Sequence, residues 1–192
     1  TFAHAETIVA GLSESRVAIT ANFVGSEILI YGAVKRDAPA PEGPPLEVII
    51  TVEGPKTPLV IRRKERVAGI WVNTASITVD EAPSFYAVST TRPLTEILSG
   101  TDDLRHQISL PHAIRAIGIT AEASGSDQFL DALKRVREQD NVYRLAEGSV
   151  QFVEETLFRT DVKLPANLTE GNYRVRMFIT RQGSVVDQFE RL

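Results

Sequence analysis

The sequence predicts a mainly β fold, one or two immunoglobulin-like β-sandwiches with an inserted helical segment. Short runs rich in branched and aromatic residues alternate with polar residues, and turn residues separate these runs. The periodicity changes to helical spacing between about residues 92 and 146, and period-two patterns return after Gly148. This order of patterns is typical of a sandwich that contains a helical insertion.

The strands before the helical segment follow directly from this alternation. Residues 46–52 keep a strict period of two until Gly54-Pro55 ends the run. Residues 16–34 predict two strands joined by a turn, and residues 35–45, which contain four prolines, predict a solvated loop. Four further short runs are β-prone: residues 59–66, 70–73, 76–79 and 85–90.

Two helices are predicted within the inserted segment. Pro93 suits a first helical position, and Ser126 is a good N-cap for a second helix that ends near Asp140. In the second helix, Phe129 and Leu133 fall on one apolar face with Val136. The stretch between the helices is unassigned, with another short helix as one alternative.

The C-terminal region predicts three strands, over residues 158–164, 173–179 and 185–189, with a hairpin turn at 181–184. Met177 faces the core in this pattern. The chain therefore divides into four parts: residues 1–5, a signal-peptide remnant; 6–91, an N-terminal sandwich; 92–146, a helical insertion; and 147–192, strands that complete the same sandwich or form a second one.

Composition excludes several classes of function. The net charge of -4 gives no positive field for nucleic acid, and no segment approaches the roughly 20 apolar residues that span a bilayer. The chain has no cysteine, which removes disulfides and thiolate sites and fits an oxidising compartment. Ala3-His4-Ala5 has the small residues of an export-signal cleavage site, although the same tripeptide also arises by chance.

No catalytic, metal or cofactor site is predicted. His106 and His112 are six residues apart, too few and too widely spaced for a zinc site, and no serine lies in a nucleophile elbow. The acidic pairs Asp80-Glu81, Asp102-Asp103 and Glu154-Glu155 are interpreted as surface charge, since neighbours on a strand point to opposite faces.

A basic run is the one candidate binding feature. Arg62, Lys64 and Arg66 line one face of a predicted strand, and together with Arg63 they form a patch that can hold a sulfate, a phosphate or lipid headgroups. The alternative is an edge strand that its charges guard against aggregation. Trp71 is interpreted as core or interface filling, or as part of a pocket beside the arginines.

Three stretches resemble a known family: residues 61–73, residues 85–94, and residues 157–167 with the Gly171-Asn172-Tyr173 hairpin. They are similar to the "putative transmembrane protein" family of alphaproteobacteria, over a region from about Glu6 to the end of the chain. The resemblance implies an exported β-rich domain on the periplasmic face of the inner membrane, anchored by a C-terminal helix beyond Leu192, and no established activity.

Two functions are consistent with these features. The first is a noncatalytic envelope module that contacts an inner-membrane protein such as a transporter. The second is a periplasmic domain that binds or transforms a small anion, with the arginine patch, Trp71 and His106 lining a cleft. A concave pocket formed by those side chains favours the second function, and a convex charged face favours the first.

Overall fold

The computed structural model describes residues 6–12, 16–17, 26–36, 43–115, 126–153 and 156–192. It is mainly β, with 55% strand and 20% helix, which confirms the predicted class. The immunoglobulin-like form of the sandwich stays a prediction. Residues 1–5, interpreted as a signal-peptide remnant, lie outside the described residues.

The elements follow one another along the chain in four groups. The first group of strands is β1 (Glu6–Leu12), β2 (Arg16–Val17), β3 (Ser26–Arg36), β4 (Glu47–Glu53), β5 (Lys56–Val67), β6 (Ile70–Pro83) and β7 (Tyr86–Thr90). The helices are α1 (Leu94–Ile97), α2 (Gly100–His106), α3 (Leu110–Arg115) and α4 (Ser126–Gln139). The next strands are β8 (Tyr143–Ala146), β9 (Gln151–Val153) and β10 (Leu157–Leu164). The last are β11 (Gly171–Asn172), β12 (Arg174–Arg181) and β13 (Ser184–Arg191).

Two main sheets organise the fold. One has the strand order β1-β3-β10-β9 and the other β13-β12-β4-β7-β8, in which only the β7–β8 pair is parallel among the described pairings. Two smaller sheets pair β11 with β2 and β5 with β6. Because β10 pairs with β3 and β12 pairs with β4, strands from before and after the helical segment lie in the same sheets.

The five-stranded sheet is the centre of the molecule. All seven residues of β4 and all five of β7 are buried, so these strands are covered on both faces. One hydrophobic core joins Phe158 of the four-stranded sheet, Ile50 of β4 and Leu133 of α4. The alternation over residues 46–52 correctly predicts a strand. It does not predict that Ile49 and Thr51 are buried as well.

The helical segment is better defined in the structure than in the sequence. The predicted helices after Pro93 and Ser126 are confirmed as α1 and α4, and α4 ends at Gln139. The stretch that the sequence leaves unassigned contains both α2 and α3, while residues 116–125 lie outside the described part of the chain. The β-prone runs at 70–73 and 76–79 form the single strand β6.

Strand β12 differs from its predicted pattern on one face. Arg176, predicted to face water, is half-buried: its Nη1 donates to the carbonyl of His106 at 2.7 Å and its Nη2 to that of Gln107 at 3.0 Å. A guanidinium is favourable at these carbonyls because they carry the negative end of the α2 dipole. Helix α2 therefore covers the face of β12 that the alternation assigns to solvent.

Candidate functional site

A long hairpin, formed by β5 and β6, is the most exposed part of the described structure. Its turn uses Ala68 at φ 50° and Gly69 at φ 86°, the left-handed conformations that a two-residue hairpin turn requires. Val67 and Ile70 pair directly on either side of this turn. The two left-handed residues and the direct pairing on either side of them therefore define a tight hairpin.

The outer end of this hairpin has solvent on both sides. Near its base, Leu59 and Ile61 are half-buried against the core, but Arg62–Val67 and Ile70–Thr74 are exposed at every position. A strand that packs on a core buries every second residue. We call residues 62–75 the arm, because they extend roughly 20 Å beyond the last core contact at a rise of about 3.3 Å per residue.

The tip of the arm carries a cluster of exposed apolar side chains. Val67, Ile70, Trp71 and Val72 expose 53, 68, 66 and 40% of their surfaces. Val67, Ile70 and Val72 share one face of the hairpin, and Trp71 lies on the other face, paired with Arg66. Single exposed apolar residues are common on soluble proteins, whereas several large ones at one hairpin tip are typical of interaction surfaces. The interpretation of Trp71 as core filling is therefore wrong, because the hairpin carries it away from both main sheets.

The two faces of the arm differ in charge. Arg62, Lys64 and Arg66 lie on one face, as their alternation predicts, and Arg66 pairs directly with Trp71 across the hairpin. The other face carries Arg63, whose Nε lies 3.0 Å from Oε1 of Glu65. That ion pair leaves the first face cationic, with no carboxylate of the arm on it.

The arm is also distinct in charge from the rest of the chain. Its four cations and one carboxylate give a net charge of +3, whereas the whole chain carries -4, so the remainder carries -7. All five predicted binding residues lie in the arm: Arg62, Arg63, Lys64, Arg66 and Trp71. Their role in binding stays a prediction.

Helix α4 lies beside β5 and forms a groove with it. The part of the groove lined by Arg62, Arg63 and Lys64 has a volume of about 320 Å³. Its other wall comes from α4, through Gln128, Phe129, Ala132 and Arg135. Neither Trp71 nor Arg66 lines it, so the structure divides the predicted patch between the groove and the tip.

The sequence reasoning missed the α4 side of this groove. Arg135 is exposed on α4, and the pattern that makes this helix amphipathic does not show which element the edge of the helix approaches. The cationic run Lys134-Arg135 with Arg137 was the available signal. Only the packing of α4 against β5 shows that Arg135 lies opposite the arm's arginines.

A serine, a histidine and an aspartate meet near α3, in an arrangement that does not suit nucleophilic catalysis. Nδ1 of His112 lies 2.9 Å from Oδ2 of Asp103 and 3.3 Å from Oγ of Ser109. In a catalytic triad the two ring nitrogens contact different partners, so that the imidazole can accept the serine proton while the carboxylate orients it. Here both partners share one nitrogen, and the cluster fixes the start of α3.

The interpretation of Asp102-Asp103 as surface charge is wrong. Asp102 is 8% exposed, and its Oδ2 accepts a hydrogen bond from the backbone N–H of Val185 at 2.9 Å. Oδ1 of Asp103 accepts from the N–H of Ser109 at 2.7 Å. Both carboxylates hold the helical segment in place, Asp102 against the β12–β13 hairpin. The pair Glu154-Glu155 lies outside the described residues.

The structure does not bring His106 to the arm. Its ring packs edge-to-face against Phe178, with 5.7 Å between the ring centres, on the face of β12 that α2 covers. Within the described ranges, no three histidine or carboxylate side chains are grouped so that they could hold a metal ion. A cleft that combines His106 with the arginines of the arm is therefore not formed.

The fold and the arm define a mainly β protein with an exposed, cationic and apolar-tipped hairpin. Residues 7–192 match the family described as "Putative transmembrane protein (Alph_Pro_TM)", and the chain belongs to this family. No curated protein and no solved structure matches it. Among the residues that the structure describes, no helix is both long and apolar enough to cross a membrane.

Proposed function

We propose that this chain is a noncatalytic interaction module on the periplasmic face of the bacterial inner membrane, where the arm contacts a transporter or another membrane-embedded protein. The exposed apolar tip of the arm carries this proposal. Membership of a transmembrane protein family supports a membrane-embedded neighbour. The Ala-x-Ala start and the absence of cysteine support export.

The chemistry of the tip defines the surface that it fits. Trp71 and Ile70 offer large apolar area, and Arg66 lies next to Trp71 on the cationic face. Tryptophan and arginine are the residues that most often dominate protein interfaces. The complementary surface is thus an apolar depression bordered by carboxylates, and each large side chain fully buried there contributes about 1.5–3 kcal/mol.

Photocrosslinking tests the proposal: a photoreactive amino acid replaces Ile70, and the protein is expressed in its native membrane. We expect one defined membrane protein to be crosslinked, because Ile70 is the most exposed apolar residue of the tip. After that protein is identified and purified, its Kd for this chain should rise roughly tenfold with Trp71→Ser, as for a central interface residue. Mass spectrometry of the adduct and a binding titration are the measurements.

Position 31 provides the matched control for the crosslink. Tyr31 in β3 is 45% exposed and is also a large side chain, but it lies outside the arm. Leu145→Ser, at a site that is 56% exposed, is the control for the titration. Equal crosslinking from positions 31 and 70, or adducts of position 70 with lipid alone, would contradict a protein partner for the tip.

A further inference from the structure

The groove between β5 and α4 continues past the part already described. A second hollow of about 410 Å³ shares Ile61, Arg62, Ala132 and Arg135 with the first. The two hollows are therefore one continuous groove along the edge of β5. Volumes of several hundred Å³ are those of small-molecule sites.

Cations line the centre of the groove without carboxylates to neutralise them. Arg62 and Lys64 from β5 and Arg135 from α4 make no ion pair with any residue that the structure describes. Arg63 is paired with Glu65, and Asp140 lines only the second hollow. Three positive charges that share one groove favour a bound anion, because the anion relieves the part of their repulsion that solvent does not screen.

The charged residues of helix α4 also differ between the groove and a separate hollow. Asp127 and Asp131 line the separate hollow, together with Lys134, while Arg135 and Arg137 line the groove. Protection of an edge strand accounts for charges on β5 itself. It does not account for a guanidinium on the helix opposite, so the groove has a positive field beyond what edge protection requires.

The floor of the groove is apolar. Ile61 of β5 and Phe129 and Ala132 of α4 form it, and Phe129 is only 8% exposed. Guanidinium groups bind tetrahedral oxyanions through paired N–H donors, and an apolar floor receives a hydrocarbon group attached to such an anion. We infer that this groove binds an oxyanion carried on an apolar body, such as an alkyl phosphate or an alkyl sulfonate.

This inference stands apart from the role of the arm tip, because Trp71 does not line the groove. The test is calorimetric titration of the purified chain with hexyl phosphate, with uncharged hexanol as the control ligand. We expect the double substitution Arg62→Ala with Arg135→Ala to weaken binding of hexyl phosphate roughly tenfold or more, since each removes a charge-assisted contact. Trp71→Ser should leave binding unchanged.

A matched control variant removes the same charge elsewhere. Arg159→Ala with Lys163→Ala deletes two exposed cations of β10, and binding should equal that of the unmodified chain. Binding to vesicles of phosphatidylglycerol and phosphatidylcholine distinguishes a lipid headgroup from a free small molecule as the source of the anion. Arginine-dependent binding to vesicles alone assigns the groove to a lipid headgroup, and arginine-dependent binding of hexyl phosphate alone assigns it to a free small molecule.

Three results would overturn the inference. The first is no binding of either probe, and the second is equal binding by the chain with and without Arg62 and Arg135. The third is equal affinity for hexanol and hexyl phosphate, which would remove the oxyanion from the recognition. All four substituted positions are exposed, so thermal melts should show that both double variants fold like the unmodified chain.

Discussion

Met177→Asp is expected to abolish the cooperative thermal unfolding transition of this chain. Met177 is 0% exposed in β12, where it pairs with Ile50 on one side and Phe189 on the other. A carboxylate at this position has only apolar neighbours across the strands. Burying such a group without a partner costs about 5 kcal/mol or more, which rivals the roughly 5–15 kcal/mol that stabilises a whole domain.

Circular dichroism during heating measures this effect. Gln188→Asp is the matched control, because it places the same carboxylate at an exposed position of the neighbouring strand β13, and its melt should resemble that of the unmodified chain. Met177→Leu should also melt cooperatively, since it conserves volume and polarity. A cooperative melt of Met177→Asp at the unmodified temperature would contradict the buried position of β12.

Alkaline unfolding between pH 10 and 12 is the second large effect that we expect. Burial raises the pKa of Tyr86, Tyr143 and Tyr173 from 10.0 to about 12. Each hydroxyl also donates a hydrogen bond to a backbone carbonyl: Tyr86 to Ile108 at 2.8 Å, Tyr143 to Pro83 at 2.9 Å and Tyr173 to Thr169 at 2.8 Å. All three side chains therefore need their protons in the folded state.

The direction of the pH effect follows from the two pKa values. In the unfolded chain each tyrosine loses its proton near pH 10, whereas in the folded chain it keeps the proton until about pH 12. The stabilisation is therefore complete below pH 10 and is lost as the pH rises to 12. Two pKa units correspond to about 3 kcal/mol for Tyr86 and Tyr143, and to less for Tyr173, whose hydroxyl is only partly buried and is screened by solvent.

Melts at a series of alkaline pH values, followed together with tyrosinate absorbance, test this expectation. The melting temperature should fall steeply above pH 10, and tyrosinate from the buried tyrosines should form only as the chain unfolds. Tyr86→Phe should reduce the steepness by about a third, because it removes one of three such groups. A melting temperature that stays constant up to pH 12 would show that these hydroxyls are not buried as described.

Local patterns were sufficient for elements that pack on one side. Strand β10 alternates exposed and buried residues at all eight positions, and the turn at Gln182-Gly183 joins β12 to β13 as predicted. Helix α4 begins at Ser126, the residue at which the sequence predicts its start. These features depend on residues that are close together in the sequence. The alternation and the turn residues were therefore enough to predict them.

Features that depend on distant residues were not predictable in this way. Asp102 is buried because it meets Val185, 83 residues later, and no local pattern encodes that contact. The arm is the clearest case. Its five consecutive charged residues, 62–66, and three consecutive apolar residues, 70–72, do not follow the alternation of a half-buried strand. The sequence therefore left core filling, interface filling and a pocket open for Trp71, and only the packing excludes the core.

The fluorescence of Trp71 tests the central claim, that the arm tip stands in solvent until a membrane protein covers it. Trp71 is the only tryptophan of the chain, and 66% of its surface is exposed. In the isolated chain its emission and its quenching by acrylamide should match those of a small tryptophan peptide. Native inner-membrane vesicles should shift the emission to shorter wavelengths and protect it from acrylamide, whereas vesicles of the extracted lipids should not. A buried emission in the isolated chain, or no response to native membranes, would contradict the claim.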